Sequence, residues 1–327
     1  MIVRMARFAL ILLALAVAAC GPRIQSIGLP IQAPALNDRA AVAPDGGQLP
    51  IEVWPAAGKP RAVIVALHGF NDYRQAFKAP GAWWAGQGVT TYAYDQRGFG
   101  DTDQRGIWAG TDTMIRDLGT MVRLVRTRHP DVPLFLLGDS MGGAVVMAAM
   151  ARDDAPAVDG IVLVAPAVWG GDTLNAFYRG TLWLAAHLLP ANKATGRGLG
   201  RRPSDNIEML RGLGRDPKVI KETRIDTVYG LVQLMDAAQA AAPSIQTQML
   251  ILYGARDEII PKRPVEQVVS SVTGPRRIAI YPNGWHMLLR DLQAEVVWRD
   301  VLTWIEDPGA PLPSGNERTA LPLFEGG

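Results

Sequence analysis

Apolar residues along the chain fall into short unbroken runs separated by stretches of helical spacing. Ala62–Leu67, Leu134–Leu137, Ile161–Ala165 and Met249–Tyr253 are continuous apolar segments, and Val89–Tyr94 and Arg277–Tyr281 complete the set. Runs of this length without polar alternation predict strands buried on both faces. Between them lie segments with helical character: Ala76–Gln87 with its Trp83–Trp84 pair, Thr111–His129, Ala144–Ala151, Val265–Val272 and Asp291–Ile305. In Thr111–His129 the residues Met114, Leu118, Met121, Val122 and Val125 share one side. Asp112 sits in its first turn and Arg126 and Arg128 in its last, as the helix dipole favours. Strand and helix alternating in this way predict the α/β class: a mostly parallel central sheet with helices on both faces.

One interval breaks the alternation. Residues 167–248 contain helical patterns at Thr173–Leu189 and Ser204–Met235 and no predicted strand. So long a connection is far outside ordinary loop lengths, and it predicts an inserted helical cap. Ahead of the sheet, residues 20–48 are rich in Ala, Pro, Gly and Gln and read as a tether with an irregular lead-in, and Ile51–Trp54 reads as an edge strand. Residues 307–327 read as a Pro- and Gly-rich tail, so the folded domain is expected over residues 49–306.

The chemistry starts where the strand Leu134–Leu137 stops. Gly138-Asp139-Ser140-Met141-Gly142 matches G-x-S-x-G between a strand and a helix, the setting in which a sharp turn lifts a serine hydroxyl above a sheet. A serine hydroxyl is a weak nucleophile until a base takes its proton. The chain offers four histidines, His68, His129, His187 and His286. His129 ends a surface helix and His187 lies on an apolar cap helix. His286 follows the last strand, at a sheet edge where ligand sites form in open α/β folds, and is the expected base. The orienting carboxylate is expected on another strand-end loop. Asp257, in Gly254-Ala255-Arg256-Asp257-Glu258, fits, with Glu258 beside it and Asp226 in the cap as competitors. The order Ser140, Asp257, His286 is that of the α/β-hydrolases. Two oxyanion donors are then expected, the backbone N–H groups of Met141 and of Phe70 in the His68-Gly69-Phe70 loop.

Composition excludes some classes and adds one feature. The 327 residues are 48% hydrophobic and 20% charged, with 33 basic and 31 acidic side chains and a net charge of +2. That balance gives no nucleic-acid footprint. With no metal-ligand cluster or Gly-rich phosphate loop in the sequence, no cofactor is expected. The single cysteine excludes an intrachain disulfide. Its position matters more: Arg4 and Arg7 precede the apolar run Phe8–Ala19, which ends in Val17-Ala18-Ala19-Cys20-Gly21. This is a signal-peptide pattern over residues 1–19, too short for an ordinary membrane span. A signal cleaved by the ordinary route, with Cys20 incidental, is the alternative to lipidation at Cys20.

Taken together, His68-Gly69-Phe70, Asp95-Gln96-Arg97-Gly98-Phe99-Gly100, Gly138-Asp139-Ser140-Met141-Gly142-Gly143, Gly254-x-x-Asp257 and His286 resemble the α/β-hydrolase superfamily. The resemblance is to monoacylglycerol lipases and bacterial lysophospholipases, some grouped with the S33 serine aminopeptidases. It covers residues 49–306 and implies a serine ester hydrolase acting on a single-chain lipid such as monoacylglycerol or lysophospholipid. Trp169, Phe177, Trp183, Leu184 and Leu188 either shelter an acyl chain or pack the cap onto the sheet. An aminopeptidase or acyltransferase on the same triad stays open, with Asp205, Glu208 and Asp236 as candidate ligands for a substrate amine, as does a non-catalytic envelope scaffold. The N-terminus resembles the bacterial lipoprotein signal. That implies a lipid-anchored protein of the cell envelope, with Gly21 after the cysteine pointing to the outer membrane, facing the periplasm. Oligomeric state is not legible.

Overall fold

The computed structural model describes residues 21–196, 198 and 200–318; the signal segment and Cys20 lie outside them. Ten strands form one sheet: β1 (Ala35–Leu36), β2 (Ala40–Val42), β3 (Gln48–Trp54), β4 (Ala62–Leu67), β5 (Val89–Tyr94), β6 (Leu134–Asp139), β7 (Gly160–Val164), β10 (Met249–Gly254), β11 (Arg276–Tyr281) and β12 (Glu317–Arg318). A separate two-stranded ribbon pairs β8 (Lys193–Ala194) with β9 (Thr223–Arg224). In the large sheet the order is β1-β2-β3-β5-β4-β6-β7-β10-β11-β12. The strands from β5 to β11 in that order run parallel, and the antiparallel strands sit at the two margins.

The helices are α1 (Lys78–Gly86), α2 (Thr111–Arg128), α3 (Met141–Met150), α4 (Ala176–Leu188), α5 (Ile207–Arg215), α6 (Ile225–Ala241), α7 (Lys262–Ser271) and α8 (Ala294–Glu306). Alternate residues of one strand feed two cores. Val63, Val65 and Leu67 of β4 enter the core shared with α2, α3 and α6. Ile64 and Ala66 enter the core shared with α1 and α8, which contains Trp84 and Trp304. This is why the strands read as unbroken apolar runs: neither face meets water. All five apolar residues predicted to share a side of α2 are buried. The whole of α3, which Ser140 caps, is buried too.

Several boundaries differ from the sequence reading. The stretch read as an irregular lead-in carries β1 and β2 and begins β3, so the sheet reaches further toward the N-terminus. Within it, Asp45 makes a bidentate pair with Arg97, whose guanidinium also bonds Asp117 of α2. Within the expected tail, Glu317–Arg318 adds β12 to β11. In the cap, the helical pattern Ser204–Met235 is two helices, α5 and α6. Asp216, which precedes Pro217, is extended (ψ 117°), as a residue before proline prefers. The cap also holds the β8–β9 ribbon, which two-residue strands are too short to announce in the sequence.

The cap sits on the loops at the C-terminal ends of the parallel strands. Ile220 N–H donates to Asn71 O, the Tyr73 hydroxyl donates to Asp216, and Met287 N–H donates to Pro203 O. Arg202 N–H bonds the Glu258 carboxylate, and the Arg202 guanidinium lies over the Trp285 ring. The cap's large apolar residues divide: Leu234 and Met235 of α6 join the core, while those of α4 are largely exposed. Phe177 is 75% exposed, Leu184 51% and Trp183 50%, while Trp169 is half-buried against the core.

Candidate functional site

The turn that carries Ser140 is built by close packing. Ser140 follows β6 and caps α3 with φ 51° and ψ −111°, a region non-glycine residues avoid and which costs roughly 1–3 kcal/mol. The surroundings hold it there: Ser140 N–H donates to Val164 O, and Ser140 O accepts from Ala144 and Ala167 N–H. Gly142 has no alternative, since a Cβ there would lie 2.2 Å from the Leu67 carbonyl oxygen. A Cβ on Gly69 would come within 3.4 Å of the Ser140 Cβ, which sets the loop after β4 directly against Ser140.

The structure brings the three predicted side chains together. Ser140 Oγ lies 2.9 Å from His286 Nε2, and His286 Nδ1 lies 2.8 Å from Asp257 Oδ2. With Nδ1–H donating to the carboxylate, Nε2 carries the lone pair that accepts from the Ser140 hydroxyl. The other carboxylate oxygen of Asp257 accepts from Ile259 and Ile260 N–H at 2.7 and 2.9 Å, so the acid is held on both sides. Burial works against a charged His286, but Asp257, through its charge and its hydrogen bond, and then Asp139 outweigh it, and the imidazole is held above its ordinary pKa. The competing carboxylates are used elsewhere. Glu258 accepts from Arg202 N–H, and Asp226 pairs with Arg224.

The two expected oxyanion donors sit beside the serine. Met141 is the first residue of α3, where a helix amide has no carbonyl behind it to satisfy. Among the described residues no acceptor is recorded for Phe70 N–H. The loop that carries Phe70 is fixed by His68, whose Nδ1–H donates to Gly69 O while Nε2 accepts from Gln96 N–H. Both ring nitrogens are thus occupied, and burial pushes its pKa down, so His68 is structural. Asp95-Gln96-Arg97 supports the site in the same sense: Asp95 pairs with Arg74, Gln96 grips His68, and Arg97 ties the lead-in to α2.

Sequence reasoning missed a second layer of charge. Asp139, the residue before Ser140, is buried and its pKa is pushed up to about 6, chiefly by loss of water. The Arg290 guanidinium, nearby and largely buried, pairs with Asp72 at 2.6 Å. Asp291 accepts from Trp285 N–H and from the Ser204 hydroxyl, which fixes the segment carrying His286 to the cap. The signal was there in retrospect: Arg290-Asp291 closely follows His286 in an apolar stretch, where charges must find buried partners. A cavity of about 330 Å³ between the lead-in and α2, bordered by Ile27, Arg97 and Arg123, is lined by none of the three site residues.

Residues 58–293 match the family model described as serine aminopeptidase, S33. The chain is 24% identical to the monoacylglycerol lipase of Mycolicibacterium smegmatis over 80% of its own length and 93% of that protein's. It is 27% identical to the monoglyceride lipase of Mus musculus, over 80% and 88%. Among solved structures, a soluble variant of monoglyceride lipase from Saccharomyces cerevisiae, in complex with a substrate analog, superposes with a TM-score of 0.69. The identity is 18%, and the match covers 87% of this chain and 97% of that one.

Proposed function

Since the chain belongs to the serine aminopeptidase S33 family of α/β-hydrolases and is a serine hydrolase, we propose that it cleaves the ester bond of a single-chain lipid, monoacylglycerol or lysophospholipid. The observation that carries this reading is the hydrogen-bonded line Ser140–His286–Asp257 at the strand ends, with the serine on a strained turn. In it Ser140 Oγ attacks the ester carbonyl while His286 Nε2 takes the hydroxyl proton. The Met141 and Phe70 N–H groups hold the developing oxyanion. His286 then returns the proton to the departing glycerol oxygen, of free glycerol or of the glycerophosphodiester, leaving an acyl-serine. Water, deprotonated by the same imidazole, attacks the acyl carbonyl, the bond to Ser140 Oγ breaks, His286 returns the proton to that oxygen, and the fatty acid leaves.

An aminopeptidase needs an anion for the substrate amine, and the three cap carboxylates considered for that role are engaged. Asp236 is forked onto Arg179, Asp205 accepts from Leu292 N–H, and Glu208 pairs with Arg211. A panel of long-chain monoacylglycerol, lysophospholipid, short-chain ester and aminoacyl amide, assayed with purified protein, tests the choice. Hydrolysis of the lipid esters with the amide untouched is expected; cleavage of the amide in preference to every ester sinks the reading.

The pH profile follows from His286. The base must be neutral to act, and its pKa is held above 6.5 by Asp257 and Asp139 against burial. The acid limb of kcat/KM should therefore have its midpoint above 6.5, with activity lost as pH falls through it. A midpoint below 6.5 would mean that burial wins and the charges do not.

Location belongs to the same reading. The basic n-region, the apolar run Phe8–Ala19 and Val17-Ala18-Ala19-Cys20 support export and acylation of Cys20, with Gly21 favouring the outer membrane. More than one acyl chain makes such an anchor stable.

A further inference from the structure

The loop after β4 turns sharply where it passes Ser140. Asp72 N–H donates to Gly69 O at 3.2 Å, so Phe70 and Asn71 are the central pair of a β-turn. Of the two, only Asn71 has a positive φ, 65°. Positive φ at the third position alone marks a type II turn, a position that glycine or asparagine fills. The amide of the second position lies outside the hydrogen bond that closes the turn. Here that amide is Phe70 N–H, the expected oxyanion donor.

Glycine would meet the demand on φ without strain. Asparagine adds an arm, and the arm reaches the cap. Asn71 Nδ2 donates to the Thr223 hydroxyl at 2.7 Å, and Asn71 O accepts from Ile220 N–H at 2.9 Å. Thr223 is buried and begins β9, directly before α6. Ile225 N–H donates to Asn192 O, and α6 packs Leu234 and Met235 into the core, so the far end of the arm rests on well-packed structure. The Tyr73 hydroxyl, donating to Asp216, adds a further bond on this side. From the other side Arg290, shortly after His286 in the chain, pairs with Asp72. The turn is thus held between the cap and the segment that carries the histidine. The arrangement carries costs. Asn71 Oδ1 is buried and finds no hydrogen-bond partner among the described residues. A left-handed backbone and an unpaired buried oxygen at one residue both lower stability. Costs of this kind persist where the surroundings over-determine a residue, and they cluster at functional sites.

We propose that Asn71 is a positioning residue for the reaction: by bonding to Thr223 and Ile220 of the cap, it holds the Gly69–Asp72 turn so that Phe70 N–H points at the developing oxyanion. The cap then acts on the chemical step through backbone placement, without touching the reacting atoms. Residues 216–223, and not the exposed helix α4, are the part of the cap on which this effect depends. A shift of that segment carries the turn with it and takes the donor out of line. The inference rests on the serine-hydrolase reading of Ser140, but not on the substrate being a lipid, and the experiment separates the two.

Asn71→Gly keeps the turn and removes the arm. Thr223→Val keeps the volume in β9 and removes the acceptor. Each is assayed as purified full-length protein on p-nitrophenyl butyrate, a soluble ester, beside wild type and Ser140→Ala. An oxyanion donor lost outright costs about 10²–10³ in kcat, so a donor left loose should cost on the order of tenfold to a hundredfold. KM should change little, because the donor serves the transition state. The two side chains share one bond, so the double variant should be about as slow as the slower single one. Thr223→Ser, which keeps the hydroxyl, should restore most of the rate that Thr223→Val loses. A trifluoromethyl ketone reads the donor directly. Ser140 Oγ adds to its carbonyl carbon, the hydroxyl proton passes to His286, and the carbonyl oxygen becomes the oxyanion. Its inhibition constant should therefore rise by about the factor by which kcat/KM falls. A merely structural role would lower the thermal midpoint and leave the inhibition constant of the folded protein unchanged. Wild-type kcat and ketone affinity in folded Asn71→Gly overturn the proposal. So does a loss confined to KM, or losses that add in the double variant. Wild-type protein that cleaves p-nitrophenyl butyrate but no lipid ester removes the lipid reading and leaves these outcomes in force. Wild-type protein as slow as Ser140→Ala on every ester removes both.

Discussion

Ser140→Ala protein, folded to the same thermal midpoint as the wild type, is expected to lose ester hydrolysis by on the order of 10⁵–10⁶-fold. The size follows from the arrangement. Ser140 Oγ is the atom His286 Nε2 faces at 2.9 Å, and alanine leaves the imidazole with nothing to activate. Alanine also keeps the strained backbone at φ 51°, so the turn, the Met141 amide and the packing of α3 are preserved. Adding His286→Ala to this variant should lower the remaining rate little further, because the two side chains work as one unit and cannot be lost twice. Residual hydrolysis above the water rate would come from the oxyanion donors and substrate binding alone. The measurement is the steady-state rate on a long-chain monoacylglycerol, with circular dichroism to confirm folding. Wild-type turnover by folded Ser140→Ala protein would remove the nucleophile and with it the proposed function.

What could be read from the chain beforehand has a common physical origin. Strands buried on both faces cannot hide in a sequence, because every residue of Ile64, Val65, Ala66 and their neighbours must be apolar, and β4, β6, β7 and β10 were legible for that reason. Ser140, Asp257 and His286 were legible because parallel strands deliver their C-terminal loops to one edge, so the position in the chain already implies proximity in space. The illegible parts lack such a constraint. β1, β2 and β12 are two or three residues long and sit at sheet margins, where hydrogen bonding to a neighbour, and not side-chain pattern, creates the strand. The direction of the apolar face of α4 was illegible for the opposite reason: helical periodicity shows that a face is apolar but not which way it points. Arg179 settles that, and its partner Asp236 lies far along the chain. Likewise Arg290 and Asp72, separated by 218 positions, reveal their pairing only in three dimensions.

Asp257→Asn isolates the role of charge and tautomer from that of structure. Asp257 Oδ1 accepts two backbone N–H groups, from Ile259 and Ile260, while Oδ2 accepts from His286 Nδ1. An asparagine amide has one oxygen, and only that oxygen can receive the two backbone donors; its NH₂ group is then turned toward His286. The imidazole must answer with a lone pair on Nδ1, which moves its proton to Nε2, facing Ser140. A nitrogen that carries a proton cannot take one from the serine hydroxyl. The variant also removes the charge that holds His286 above its ordinary pKa, so the imidazolium formed during the reaction loses its counter-ion. Together these should lower kcat by about 10⁴-fold, with KM changed little because the carboxylate is buried and does not reach the substrate. The fold should hold, since both backbone N–H groups keep an acceptor. Asp257→Ala, by contrast, strands them at a cost of about 1–3 kcal/mol per unsatisfied group and should lower the thermal midpoint as well. The pair of variants therefore gives a signature: equal loss of rate, unequal loss of stability. Near-wild-type kcat in Asp257→Asn would show that another group orients His286, and near-wild-type kcat with a lowered midpoint in Asp257→Ala would reduce Asp257 to a loop anchor.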